Sequence, residues 1–313
     1  LIRMYRGAAQ VCILCRAYGG TSCSDASGYT RPPHPSRTGR RQIPLNEMKM
    51  KAMIFAAGLG TRLKPLTDTM PKAMVPVCGK PLIEHVSRRL MSFGIDEAVV
   101  NVHHFADQIE EWIASQEWIC TSSEDKKPGM MLMQASDERQ MLLETGGAVL
   151  HARRYLEGCG HFLIHNVDIF SDCDFGWLSS QVHEDAVATL LVSERKTSRY
   201  FLFHPQTLRL AGWKNVSTGE VRMSDPAISP DSCLAYAFTG IHILSDRIFG
   251  LMDEYVKEKG VPSGDAGARF SIVDFYLWAA AAHPLYGVPA QDLKLLDIGK
   301  LDALAPAEAF LEI

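Results

Sequence analysis

Short apolar runs recur along the chain from Lys51 onward, separated by stretches whose apolar positions repeat every three or four residues. Runs of the first kind make buried strands and stretches of the second make amphipathic helices, so their alternation predicts a mainly parallel sheet covered by helices. Strands are expected at 51–57, 98–102, 130–134 and 161–167. Helices are expected at 81–93, where Gly94 closes the pattern, at 106–115, and from about Thr145. After residue 186 the apolar runs at 186–193, 201–203, 208–213 and 235–244 follow one another with fewer helical stretches between them, which predicts a mixed section. Segments 270–282 and 300–310 read as helices, and 295–298 as a short strand that turns Asp297 inward. The fold class is α/β.

Composition narrows the classes of function. The chain has 313 residues, 47% hydrophobic and 22% charged, enough to bury a sizeable core. No apolar run approaches the roughly 18 residues of a membrane span. A net charge of -4 gives no basic field for nucleic acid. Residues 1–47 differ from the rest: seven arginines stand against Asp25 and Glu47, and Cys12, Cys15 and Cys23 accompany a Pro/Ser/Arg-rich stretch. The charge balance changes sign where the first strand begins, which places a boundary near Glu47 and leaves 48–313 as one domain. Met48 or Met50 stands just before that strand, so the basic stretch is expected to lie outside the working body. Cys12 and Cys15 form a C-x-x-C, but Cys23 and His34 are a poor second ligand pair for zinc. The remaining cysteines show no paired spacing, which suits a reducing, cytoplasmic setting.

Candidate chemistry concentrates where the first strand ends. Gly58 and Gly60 lack the Cβ that keeps a ligand off the backbone, so amide N–H groups there can face phosphate oxygens, and Arg62 and Lys72 add full charges. The letters exclude two alternatives. Gly58, Gly60 and Leu63 give GxGxxL, short of the dinucleotide fingerprint, and Gly79-Lys80 runs into Pro81 instead of the Ser or Thr of a P-loop.

The run G-x-G-T-R-x-x-P-L-T-x-x-x-P-K from Gly58 to Lys72, with GKPLIEH, LETGG at 143–147, Val167-Asp168, FTGIHIL at 238–244 and LDIG at 296–299, resembles the signature of sugar-1-phosphate nucleotidylyltransferases. The resemblance implies a Rossmann-like fold. It also implies a reaction joining a sugar 1-phosphate to a nucleoside triphosphate, UTP favoured, with Mg²⁺ as cofactor. Arg62, Lys72 and Asp168 would be catalytic, and Asp168 and Asp297 would hold the metal. Ala56, Ala57, Gly58, Gly60, Thr61, Glu144, Thr145, Gly146 and Gly147 would contact the nucleotide. Asn166, Lys214 and Gly240 would contact the sugar phosphate, with Arg199-Tyr200 close by.

Blander readings stand beside these. An isolated Asp at a strand end more often caps a turn, and a glycine pair more often makes a tight turn into a helix. Asp174, in an Asp172-x-Asp174 pair that imitates a metal motif, reads as the N-cap of the helix that follows. One departure from the family pattern is Val167, which replaces a glycine and is β-branched, so the loop or pocket there is expected to differ. Two other functions stay open. One is a cytidylyltransferase for a phospho-alcohol such as phosphocholine, with Tyr200, Phe201 and Trp213 as an aromatic box. The other is a nucleotide-sugar-binding subunit without turnover.

Overall fold

In the computed structural model, which describes residues 50–311, Lys51–Phe55 (β1) lies between two parallel neighbours. Its three central residues are buried, as befits a strand covered on both faces. The chain continues through Leu82–Ser92 (α1), Glu97–Val102 (β2), Ala106–Ser115 (α2), Ile119–Cys120 (β3), Met131–Asp137 (β4), Glu144–His151 (α3), Arg153–Leu156 (α4) and His161–Asn166 (β5). In space these strands run β5-β1-β2-β4-β3, all parallel. Alternate residues of the strands serve opposite faces. Ala52, Ile54 and Val100 join one core with α1 and α2, while Met53, Val99 and Ile164 join the other with α3, α6 (Ile248–Lys259) and α7 (Ile272–Ala279).

After β5 the pattern changes. Ile169–Ser171 (β6) leaves the sheet, and Phe175–Ser180 (α5) follows with Asp174 as its N-cap, accepting from the Trp177 N–H at 3.0 Å. Ala188–Ser193 (β7), Arg199–Phe203 (β8), Leu210–Asn215 (β9), Glu220–Met223 (β10) and Leu234–Ser245 (β11) come next. β11 pairs antiparallel with β5 and carries the sheet outward through β8, β9 and β10. β7 pairs with β11 and with Leu285–Pro289 (β12), completing an eleven-stranded sheet. Leu295–Asp297 (β13) pairs antiparallel with β6 to make a separate ribbon, and Leu304–Leu311 (α8) ends the described chain.

β3, β6, β10, α6 and β12 are additions to the elements expected from periodicity. β3, β6 and β10 are too short for a period to register. The strand at 295–298 is present, but Asp297 is exposed instead of turned inward. The basic stretch 1–47 and its Cys12–Cys15 pair lie outside the described residues. Among the described residues, no helix is long and apolar enough to cross a membrane.

Candidate active site

The carboxyl ends of β1 and β5 open into a cavity of about 400 Å³, the edge at which open α/β sheets bind ligands. Ala57 and Gly58 form one wall, Glu144 and Thr145 a second, and Asn166 and Asp168 a third. The first wall is a loop pinned by its own bonds. Gly60, at φ 61, opens a single 3₁₀ turn over Thr61–Leu63, and its carbonyl accepts from the Leu63 N–H and the Thr67 hydroxyl, each at 2.8 Å. Thr61 and Arg62 are thereby left exposed. After a further 3₁₀ turn over Leu66–Asp68, a third over Lys72–Met74 returns Lys72 to the cavity.

One cation–carboxylate pair borders this cavity, and a second cation and carboxylate converge close by. Lys72 forms an ion pair with Asp168, both side chains largely shielded from solvent. Arg62 and Asp297 face each other across Gly299: a Cβ there would sit 2.5 Å from Arg62 Nη2 and 2.7 Å from Asp297 Oδ1. The β6–β13 ribbon brings Asp297 near the first pair, because Asp297 is opposite Ile169 and the Ile298 N–H donates to the Asp168 carbonyl at 2.8 Å. The donor set suits a hard dication. Among the described residues no group of three or more His, Cys, Asp and Glu is placed to hold a metal. Asp168 and Asp297 are the carboxylates here that could hold such an ion, which takes oxygen ligands.

The second wall differs from expectation in detail. Glu144 and Thr145 border the cavity, but Gly146 and Gly147 are buried in α3. Their N–H groups both donate to the Phe270 carbonyl, at 2.9 and 3.1 Å. A Cβ on Gly146 would meet the Phe270 ring at 2.4 Å, and one on Gly147 would meet the Ala268 carbonyl oxygen at 2.0 Å. These glycines let α3 approach the 268–270 segment; they do not line the cavity. Glu144, at φ 60, reaches out to Arg269, and the Thr145 hydroxyl accepts from the Ile272 N–H at 3.1 Å.

On the third wall, Gly240 (φ 82) leaves the space of its missing Cβ to the Asn166 amide, whose Nδ2 lies 2.6 Å from that point. The register between β11 and β7 shifts between Phe238 and His242, an irregularity of the kind that re-aims side chains next to active sites. Val167 is buried, does not adopt positive φ, and donates its N–H to the Phe55 carbonyl at 3.1 Å, so the β-branched residue is accommodated by packing. Lys214 is on β9 opposite Tyr200 and does not line the cavity. The aromatic box does not form: Phe201 is buried in the core, Trp213 lies under Arg222 at 4.4 Å, and the Tyr200 hydroxyl accepts from the Thr197 N–H.

The residues that sequence reading missed are buried and polar. Asn101 borders the cavity, and Glu138 lies behind it. Burial pushes the Glu138 carboxyl above its ordinary value, against the opposing pull of hydrogen bonds from Asn101 and the Leu143 N–H. An asparagine closing the apolar run Ala98–Val100 was the available signal.

Known proteins place this geometry in a class. Residues 51–201 match the family model described as nucleotidyl transferase. The chain is 44% identical over 117 residues to the N-acetylmuramate alpha-1-phosphate uridylyltransferase of Caulobacter vibrioides, covering 37% of this chain and 45% of that protein. It is 32% identical over 127 residues to the mannose-1-phosphate guanylyltransferase catalytic subunit beta of Xenopus tropicalis, covering 40% and 32%. The chain thus spans about half, or less, of the length of these curated relatives. A solved UDP-glucose pyrophosphorylase complexed with UDP-glucose shares the fold, with a TM-score of 0.62 at 17% identity, over 84% of this chain and 98% of that one.

Proposed function

We propose that the protein is a nucleotidylyltransferase that couples a sugar 1-phosphate to a nucleoside triphosphate, UTP favoured, releasing pyrophosphate. The observation that carries this reading is the Lys72–Asp168 ion pair lining the glycine-loop cavity, with Asp297 brought near it by the β6–β13 ribbon and Arg62 close to Asp297 beside Gly299. The nucleophile is an anionic phosphate oxygen. It attacks the α-phosphorus as the bond to pyrophosphate breaks, so no strong base is required, and what remains is to align two anions and offset their charge.

Ala57 and Gly58 offer a backbone wall to the nucleotide, with Glu144 and Thr145 opposite. The Arg62 guanidinium can grip two oxygens of the β and γ phosphates, and Lys72 serves the α-phosphate or the sugar phosphate as a point charge. Asp168 and Asp297 would hold the divalent cation, Mg²⁺ favoured, which when bound neutralises charge on the phosphates. Asn166, held by Gly240, faces the sugar side. The unpaired thiols of Cys78, Cys120, Cys159, Cys173 and Cys233 agree with a cytoplasmic setting.

The test is pyrophosphate release with Mg²⁺, crossing the four nucleoside triphosphates with a panel of sugar 1-phosphates that includes those of N-acetylmuramate, mannose and glucose. One strongly preferred pair is the expected result. Nucleotide binding with no release for any pair would overturn the catalytic reading.

A further inference from the structure

Behind the glycine loop the buried side chains Asn101 and Glu138, only 4% and 2% exposed, link two walls of the cavity. Asn101 Oδ1 accepts the Ala56 N–H at 2.8 Å, and Asn101 Nδ2 donates to Glu138 Oε1 at 2.9 Å. The other oxygen, Glu138 Oε2, accepts the Leu143 N–H at 3.2 Å, immediately before the Glu144–Thr145 wall. Glu138 is itself fixed by its backbone: its N–H donates to the Val102 carbonyl at 2.8 Å, and its carbonyl meets His103 Nδ1 at 2.7 Å.

The chemistry of this relay has a direction. A carboxylate accepts and does not donate, so it forces the amide nitrogen of Asn101 toward itself and the amide oxygen toward Ala56. With the amide reversed, an NH₂ would face the Ala56 N–H and a carbonyl would face the carboxylate, stranding buried groups at both ends. A buried carboxylate is costly, and an apolar residue of similar volume would serve packing as well or better. Retaining it here, next to the cavity, points to the orientation it imposes.

We propose that Asn101 and Glu138 are a positioning pair for the nucleotide site, holding the Ala56–Gly58 backbone at a fixed separation from the Leu143–Thr145 wall. The proposal rests on the reading of this cavity as a nucleotide site. Neither residue touches the reacting atoms.

Exchanging their roles provides the test. In Glu138→Gln the side chain cannot accept from both Asn101 and Leu143, and in Asn101→Asp two carboxylates oppose each other. In the double variant N101D/E138Q every bond is restored: the carboxylate now at position 101 accepts from Ala56 and from the amide now at position 138, and the oxygen of that amide accepts from Leu143. Two readouts are taken on the full chain. Amide hydrogen exchange at residues 56–58 without ligand is expected to speed up about tenfold in each single variant and to return toward wild type in the double. The Kd for UTP is expected to rise about tenfold in each single variant and to recover to within about threefold in the double, with kcat changing less than KM.

Unchanged exchange in the singles, or a folded double no better than either single, would overturn the pair. If the singles fail to fold, wild-type-like exchange and Kd in the double still support it, and loose exchange there refutes it. If the wild type binds no nucleoside triphosphate, the functional reading fails, while the exchange data judge the pair on its own.

Discussion

The glycine-loop wall of the cavity and the antiparallel half of the sheet are built on different terms. The first comes from parallel strands whose ends are tied by buried polar bonds: Ala56 to Asn101, Asn101 to Glu138, Glu138 to Leu143, and Thr67 to Gly60. The second comes from antiparallel strands and hairpins, with a register shift before His242. There the His242 ring nitrogens, the Tyr276 hydroxyl and the Thr189 hydroxyl are buried with no hydrogen-bond partner, whereas on the parallel strands β1–β5 only Ser136 Oγ and His161 Nε2 are so among the described residues. The contrast teaches where rigidity is placed. On the proposed function, a triphosphate is the same for every sugar and would be met by this fixed backbone, leaving acceptor choice to side chains around it.

The sharpest way to break this comparison is at the ribbon. Asp168→Asn removes the partner of Lys72 and the carboxylate proposed to hold the metal, and is expected to cut kcat by about a thousandfold, with a melting temperature near wild type. Wild-type turnover would remove Asp168 from the reaction. Next comes Gly147→Ala, which separates packing from ligand contact within LETGG. Because the added Cβ would strike the Ala268 carbonyl, a loss of about 3 kcal/mol in denaturant unfolding is expected. An intact fold with weakened UTP binding would instead restore the glycine to the ligand.

A smaller effect tests the unpaired half. Burial holds His242 down to about 3 and His165 to about 4, below the ordinary 6.5 of histidine. Below pH 6.5 the unfolded chain takes up these protons and the folded chain does not. Stability present above pH 6.5 is therefore lost as pH falls toward 4 and then 3. His242→Phe, whose ring would join Phe55, Phe238 and Tyr276, should remove one of the two losses, worth about 2 kcal/mol at pH 5. Equal acid sensitivity in mutant and wild type would refute the assignment. The mildest change is Lys214→Ala: with Lys214 outside the cavity lining, KM for the sugar phosphate should rise by no more than about fivefold and KM for UTP not at all. A larger rise in the first would show that β9 closes over the acceptor.

What could be read from the sequence follows the same divide. β1, its glycine loop and the helices at 82–92 and 106–115 are contiguous patterns, and their positions match the expectation closely. Asp168 and Asp297 were visible as motif letters, but their juxtaposition depends on β6, a three-residue strand with no periodicity to read. Gly146 and Gly147 look alike whether they face a ligand or a neighbouring segment, and Phe270, which decides between these, is far away in the chain. Asn101 and Glu138 escaped because a polar residue in an apolar run has no meaning until its partner on another strand is known.

The β6–β13 ribbon also orders events in time. As the chain leaves the ribosome, Asp168 arrives with β5 and the glycine loop already made, while Asp297 does not exist until β13 is synthesised. A growing chain therefore passes through a stage that has most of a nucleotide wall and only half of its carboxylate pair. If the proposed function holds, such a chain would hold a nucleotide before it could turn one over.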